Sequence, residues 1–197
     1  MIHAIVLAAG ESRRMGRPKM LLPWGRSTML ETVVRTLLSG PFATVVVVLG
    51  HRAEEHGRAL APLAEEPRVR LAVNPRYPEG MLTSLQCGVR AAGAGTVLVA
   101  LGDQPLITAE TVVRVLAAHG TGLTVPTFRG RRGHPVCIDE RLVQPLLALR
   151  PEQGLRGLFR RHPGAVTLVE APGEEILVDL DTPEAYRRAV ASGPVGG

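Results

Sequence analysis

The chain has 197 residues and 45% hydrophobic content, enough to bury a full core as one domain, expected over residues 1–192 with a flexible tail at 193–197. Its net charge of +5 raises the question of nucleic acid, but aromatics make up only 3% and no basic stretch is interleaved with stacking rings, so a small polyanion is the better-fitting partner. Two cysteines without CxxC spacing, six scattered histidines and no apolar run of membrane-spanning length argue against a disulfide scaffold, a Cys/His zinc site and a membrane segment, and point to the cytoplasm.

Short β-branched runs alternate with longer amphipathic stretches. Residues 3–7 predict a buried strand, followed by a Gly-containing loop over 8–19. Thr28 and Glu31 have the spacing of a capping box for a helix over 29–38. A strand at 44–49, a helix at 53–64, a strand at 69–73 and a helix at 82–92 come next, then a strand at 96–101, all-apolar from Val97 to Leu101, and a helix at 109–119. Strands at 123–126 and 135–138 flank Arg129-Gly130-Arg131-Arg132-Gly133, which reads as a hairpin connection. Helices at 140–149 and 155–161, a strand at 166–169, a short extended segment at 176–178 and a helix at 183–191 complete the described pattern. The alternation predicts an α/β fold: three α/β/α layers, Rossmann-like, around a mostly parallel sheet with an antiparallel element.

Open α/β sheets bind ligands beyond the carboxyl ends of their strands. Three segments lie there. In the first, after residues 3–7, Gly10 and Gly16 let backbone N–H groups face a phosphate, and Arg14 and Lys19 add charge. Lys19 is the single lysine among 23 Lys+Arg, a compact ammonium where every comparable position carries a planar guanidinium. The loop has neither the GxGxxG nor the GxxxxGK[ST] pattern, which argues against a dehydrogenase and an ordinary NTPase. The second segment is Gly102-Asp103-Gln104-Pro105, where Asp103 is either a Mg²⁺ ligand or a turn or cap residue for the helix beginning near Thr108. The third is Asp179-Leu180-Asp181-Thr182-Pro183, in which Asp181 is a second metal ligand, the last helix's N-cap, or both, and Asp179 is the weaker candidate. Two further segments carry weaker signals. Gly80 to Ser84 opens a helix with glycine and hydroxyl groups, suited to a nucleotide or to ordinary capping, and His134 either orients a second substrate or packs beside a strand.

Taken in order, Leu7-Ala8-Ala9-Gly10 through Arg14-Met15-Gly16 and Lys19, Gly80-Met81 with Ser84-Leu85, Gly102 to Pro105, Gly133-His134-Pro135 and Asp181-Thr182-Pro183 resemble one family over nearly the whole chain. It is the MobA-like nucleotidyltransferases of molybdenum cofactor maturation, within the nucleotide-diphospho-sugar transferase superfamily. Ala9, where guanylyltransferase relatives typically carry glycine, together with the Gly-Asp-Gln-Pro and Gly-His-Pro segments, is similar to the cytidylyltransferase subgroup.

The resemblance implies transfer of CMP from CTP to a phosphorylated acceptor, a molybdopterin-type cofactor, with release of pyrophosphate. It implies Mg²⁺ on Asp103 and Asp181, and Lys19, Arg14 and Asp103 as the catalytic groups. Leu7, Ala8, Ala9, Gly10, Gly80 and Ser84 would hold the nucleotide beside Arg14, Lys19 and Asp103, while Gln104 and His134 would meet the acceptor. A molybdoenzyme or its maturation chaperone is the implied protein partner. Another NTP, a sugar or alcohol phosphate acceptor, and a non-catalytic nucleotide-binding maturation factor stand as alternatives.

Overall fold

The structure, a computed structural model, describes residues 1–63 and 65–192. Its first half contains β1 (Ile2–Ala8), the short pair β2 (Pro23–Trp24) and β3 (Ser27–Thr28), α1 (Met29–Leu38), β4 (Thr44–Leu49), α2 (Ala53–Ala59), β5 (Val69–Val73) and α3 (Met81–Ala92). β6 (Thr96–Leu101), α4 (Ala109–Ala117), β7 (Leu123–Phe128), β8 (Arg131–Arg132), β9 (Val136–Ile138), α5 (Val143–Leu147), α6 (Arg156–Arg161), β10 (Val166–Glu170) and α7 (Pro183–Ala191) follow.

The pleat decides the layering, because successive side chains of a strand point to opposite faces. Ala4, Val6 and Ala8 join Val45, Val47, Leu98 and Ala100 on one face, where Leu30, Val34 and Leu37 of α1 and Val112 and Val115 of α4 cover them. Ile5 and Leu7 join Val46, Val48, Val97 and Val99 on the other, under Leu82, Leu85 and Val89 of α3, Leu146 of α5 and Leu158 of α6. Strands buried on both faces have few polar positions to spare, which is why β4 reads as an unbroken apolar run from Val45 to Leu49. Helices on both faces of one sheet give the three-layer α/β/α arrangement expected from the alternation of elements.

The main sheet runs β10-β7-β9-β6-β1-β4-β5, with β8 paired to β7. β5, β4, β1 and β6 are parallel, as are β7 and β10. β9 lies antiparallel between β6 and β7. The Arg129–Gly133 connection is a hairpin, with Phe128 opposite Arg131 and both turn residues, Arg129 and Gly130, at positive φ.

Three predicted elements differ in detail. The helix expected over 140–149 is a 3-10 turn at Glu140–Leu142 running into α5, because Pro145 has no N–H to give to the carbonyl of Arg141. The helix expected over 53–64 ends at Ala59, with a 3-10 turn at Ala61–Leu63 around Pro62. Its last predicted residue, 64, and the predicted tail at 193–197 lie outside the described residues.

The apolar triplet at 176–178 is no strand. It emerges from a 3-10 turn, Glu174–Leu177, and Ile176 is fully buried with its carbonyl accepting from the His134 N–H at 3.2 Å. The segment packs beside β7 and β8 without joining the sheet as a strand. Gly133 permits this approach, since a Cβ there would lie 2.1 Å from the Ile176 carbonyl oxygen. The capping box is half formed: Thr28 Oγ1 accepts from the Glu31 N–H at 3.2 Å, while the Glu31 carboxylate turns to Arg35 Nε at 2.9 Å.

Candidate active site

β1 and β6 are adjacent and in register, Leu7 opposite Leu101, and β4 and β6 flank β1 on opposite sides. The chain therefore reverses its winding at this point, and the loops after β1 and β6 diverge around a crevice. The Gly102 N–H donates to the Leu7 carbonyl at 3.0 Å and holds the two loop bases together. A Cβ on Gly102 would meet Met20 Sδ at 3.0 Å and Leu30 Cδ1 at 3.1 Å, so only glycine leaves Asp103 this close to the β1 loop.

The loop after β1 turns sharply at Ser12, φ 54°, and Gly16, φ 65°. It places Lys19 in a 3-10 turn, where the Lys19 N–H donates to Ser12 Oγ at 3.2 Å. Lys19 is buried, 8% exposed, and its Nζ contacts carboxylate oxygens of both Asp103 and Asp181. Arg14 contacts the other oxygen of Asp181 from an exposed position. Burial by itself lowers the Lys19 ammonium's pKa, but the two carboxylates outweigh that and hold it above the ordinary lysine value. The ammonium is charged across the physiological range.

Neither aspartate is a cap. Thr108 Oγ1 caps α4 by accepting from the Thr111 N–H, and Thr182 Oγ1 caps α7 by accepting from the Ala185 N–H, each at 3.2 Å. Both carboxylates are left to the cations. Asp181 arrives on a strap that follows β10, pinned where the Leu180 N–H donates to the Asp103 carbonyl at 3.3 Å.

These groups border a cavity of about 490 Å³. Leu7, Ala9, Gly10, Arg14, Lys19, Ser84, Asp103 and Asp181 all line it, so most of the predicted site converges. Ala8 does not, being fully buried in β1, and Gly80 does not, standing exposed at the start of α3. Gln104 and His134 do not line it. Gln104, 2% exposed, donates from Nε2 to Asp179 Oδ1 at 2.7 Å, and burial pushes the His134 imidazole down to about 4 against the opposing pull of Asp103, leaving it neutral.

Sequence reasoning ranked Asp179 low and did not name Tyr77 or Ser12, which also line the cavity. Tyr77 lies just beyond β5, where the strand-end rule applied to that strand would have found it. Its neighbourhood is tightly built. The His51 N–H donates to the Ala9 carbonyl at 3.1 Å, a Cβ on Gly50 would lie 2.8 Å from both Ala9 O and Tyr77 Cβ, and Asn74 Nδ2 donates to Thr83 Oγ1 at 2.9 Å and Ser84 Oγ at 3.0 Å.

The cavity is thus polarised, with Arg13, Arg14 and Lys19 on one loop facing Asp103, Asp179 and Asp181 on two others. Among the described residues no three His, Cys, Asp or Glu side chains form a metal cage. The convergence of Asp103 and Asp181 on one cation does fit a hard divalent ion, which takes one or two carboxylates and completes its shell with waters and phosphate oxygens. Such a site can neutralise and align phosphates, and its chemistry requires no histidine.

The chain is similar to known proteins over nearly its whole length. The family described as the MobA-like NTP transferase domain matches residues 4–166. The molybdenum cofactor cytidylyltransferase of Escherichia coli K12 is 29% identical over 94% of this chain and 93% of its own. The nicotine blue oxidoreductase of Paenarthrobacter nicotinovorans is 36% identical over 95% of each. A Mycobacterium tuberculosis H37Rv protein crystallised in complex with manganese superposes with a TM-score of 0.70 at 26% identity, covering 96% of this chain and 97% of that one.

Proposed function

The chain belongs to the MobA-like NTP transferase family, a family of nucleotidyltransferases, and from that premise we propose that it transfers CMP from CTP to a phosphorylated, molybdopterin-type acceptor. A terminal phosphate oxygen of the acceptor attacks the α-phosphorus. A new P–O bond forms, the bond from the α-phosphorus to the bridging oxygen breaks, and the electron pair leaves with pyrophosphate. The nucleophile is already anionic, so alignment and charge neutralisation supply the catalysis without a general base.

Asp103 and Asp181 are the residues to hold Mg²⁺, which would supply charge neutralisation at the phosphate oxygens when bound. Lys19 and Arg14 stabilise the departing pyrophosphate. The Ala9–Gly10 backbone, Ser84 and Tyr77 enclose the nucleoside end, and Gln104 with His134 serve the acceptor side. Neutral His134 positions without exchanging protons near pH 7. A molybdoenzyme or its maturation chaperone receives the product in the cytoplasm.

The observation that carries this reading is the sharing of one buried ammonium by two carboxylates 78 residues apart, Asp103 and Asp181, at the mouth of the loop after β1. The E. coli relative's name supports the cytidylyl specificity, and the manganese complex supports a divalent ion. Incubating the protein with Mg²⁺ and each NTP, with and without molybdopterin, and following pyrophosphate tests it. Release with CTP and molybdopterin together is expected. Nucleotide binding with no pyrophosphate under any pairing points instead to a non-catalytic maturation factor.

The greater identity to a relative with an unrelated name favours a second reading, in which the acceptor lies outside molybdenum cofactor chemistry. Sugar and alcohol phosphates in the same assay, and oxidation of a reduced nicotinamide as a separate arm, distinguish it.

A further inference from the structure

We propose that Lys19 is a built-in placeholder for the divalent cation: its ammonium occupies the point between Asp103 and Asp181, and must leave that point before a metal ion takes both carboxylates. The inference rests on the reading of these aspartates as the metal ligands and extends it to the order in which ligands enter.

Lys19 Nζ touches one oxygen of Asp103 and one of Asp181, and both side chains are largely withdrawn from water, 13% and 24% exposed. Two such carboxylates without a cation repel each other and lose hydration, so the protein alone needs a positive charge between them. A metal ion and an ammonium cannot share that point. Each therefore lowers the other's occupancy, as any two ligands competing for one site do.

Lysine is suited to exchange. Its compact ammonium rides on four methylenes, and Lys19 also lines the cavity that opens beside the aspartates, so a rotamer change carries the charge from the carboxylates toward a bound phosphate. A guanidinium at position 19 would form a forked pair with one carboxylate and hold it in place. This gives a physical reason for the one lysine in a chain otherwise supplied with arginine. The triphosphate of the nucleotide then acts as a counter-ligand: it draws Lys19 away and frees the aspartates, so nucleotide and metal bind cooperatively.

The test reads Mn²⁺ binding to the protein without nucleotide or acceptor, by the loss of the free-ion EPR signal. Lys19→Met is expected to bind Mn²⁺ at least about tenfold more tightly than wild type, as when a competent state populated at a tenth becomes the only one. After subtraction of the Mn²⁺ held by free nucleotide, a non-hydrolysable CTP analogue should raise the wild type's affinity by a larger factor than the variant's, because only the wild type also has Lys19 to draw away. Lys19→Arg keeps a cation at the point and should stay weak. Should Lys19→Met fold poorly, Lys19→Gln and the Mn²⁺-induced rise in melting temperature of each variant give the same comparison.

Equal or weaker Mn²⁺ binding by Lys19→Met and Lys19→Gln overturns the placeholder. Asp103→Asn separates the two ideas. If it abolishes Mn²⁺ binding in the presence of nucleotide while Lys19→Met gains nothing, the metal-ligand reading stands and only the exchange is lost. If Asp103→Asn leaves Mn²⁺ binding intact, both are wrong.

Discussion

Gly102 and Leu7 are tied across two neighbouring strands by a backbone hydrogen bond of 3.0 Å, which carries the β1–β6 ladder up to the bases of the loops that hold Lys19 and Asp103. A Cβ at Gly102 would also lie 3.3 Å from the Leu7 carbonyl oxygen. Gly102→Ala therefore presses against backbone as well as against Met20, and we expect a loss of about 1–3 kcal/mol in urea unfolding. Pyrophosphate release should fall further than the stability loss accounts for, because the added methyl pushes Asp103 out of line.

Asp103→Asn keeps shape and removes charge. The fold should persist, as read by circular dichroism, while turnover drops by about a hundredfold or more. An active, Mg²⁺-dependent variant would remove Asp103 from the proposed mechanism.

Lys19→Arg retains a positive charge at the same position. A planar fork paired with one carboxylate stays there and cannot follow a phosphate as the lysine does, so a rate loss of about a hundredfold is expected. Wild-type rates would mean that charge alone is needed there.

Asp179 is exposed at the cavity rim, and the partial loss of hydration there, followed by the nearby Asp103, raises its pKa. An ionised group whose folded pKa is raised destabilises the folded state above that pKa, and the cost fades as pH falls toward the ordinary value of 3.8. Asp179→Asn keeps an oxygen to accept from Gln104 Nε2 and carries no such cost. Its melting temperature should exceed the wild type's at pH 7, with the gap closing in acid.

His134 is held neutral by burial, its pKa brought from 6.5 to about 4. In that window the unfolded chain binds the proton and the folded one does not, so stability falls as pH drops from 6.5 toward 4, by roughly 3 kcal/mol from this group. Chemical denaturation at pH 7 and pH 4.5 checks the direction. An NMR titration showing the His134 ring protonating near 6.5 would contradict the burial argument.

The layers of the fold were legible because buried parallel strands are apolar almost throughout and helices repeat at a different period, as β4 and α1 show. The segment at 176–178 misled because a fully buried Ile176 looks the same in a strap beside the sheet as in a strand; only its partner, the His134 N–H, distinguishes them. In the site, Lys19 and Asp103 stood out by residue type and strand-end position. The meeting of Lys19 with Asp181, 162 residues apart, is set by the tertiary path of the strap and has no local signal. Tyr77 was hidden for a different reason: β5 is an edge strand with exposed Leu71 and Val73, and its weak alternation drew attention away from the turn beyond it.

Asp181 reaches the crevice on the strap that leaves β10, the last strand of the main sheet, a strap whose Ile176 and Leu180 are themselves part of the core. A growing polypeptide that has emerged as far as residue 170 holds all its strands and still lacks half of the carboxylate pair. With Asp181 as the proposed second metal ligand, such a polypeptide would carry the strands of the sheet without the proposed metal site.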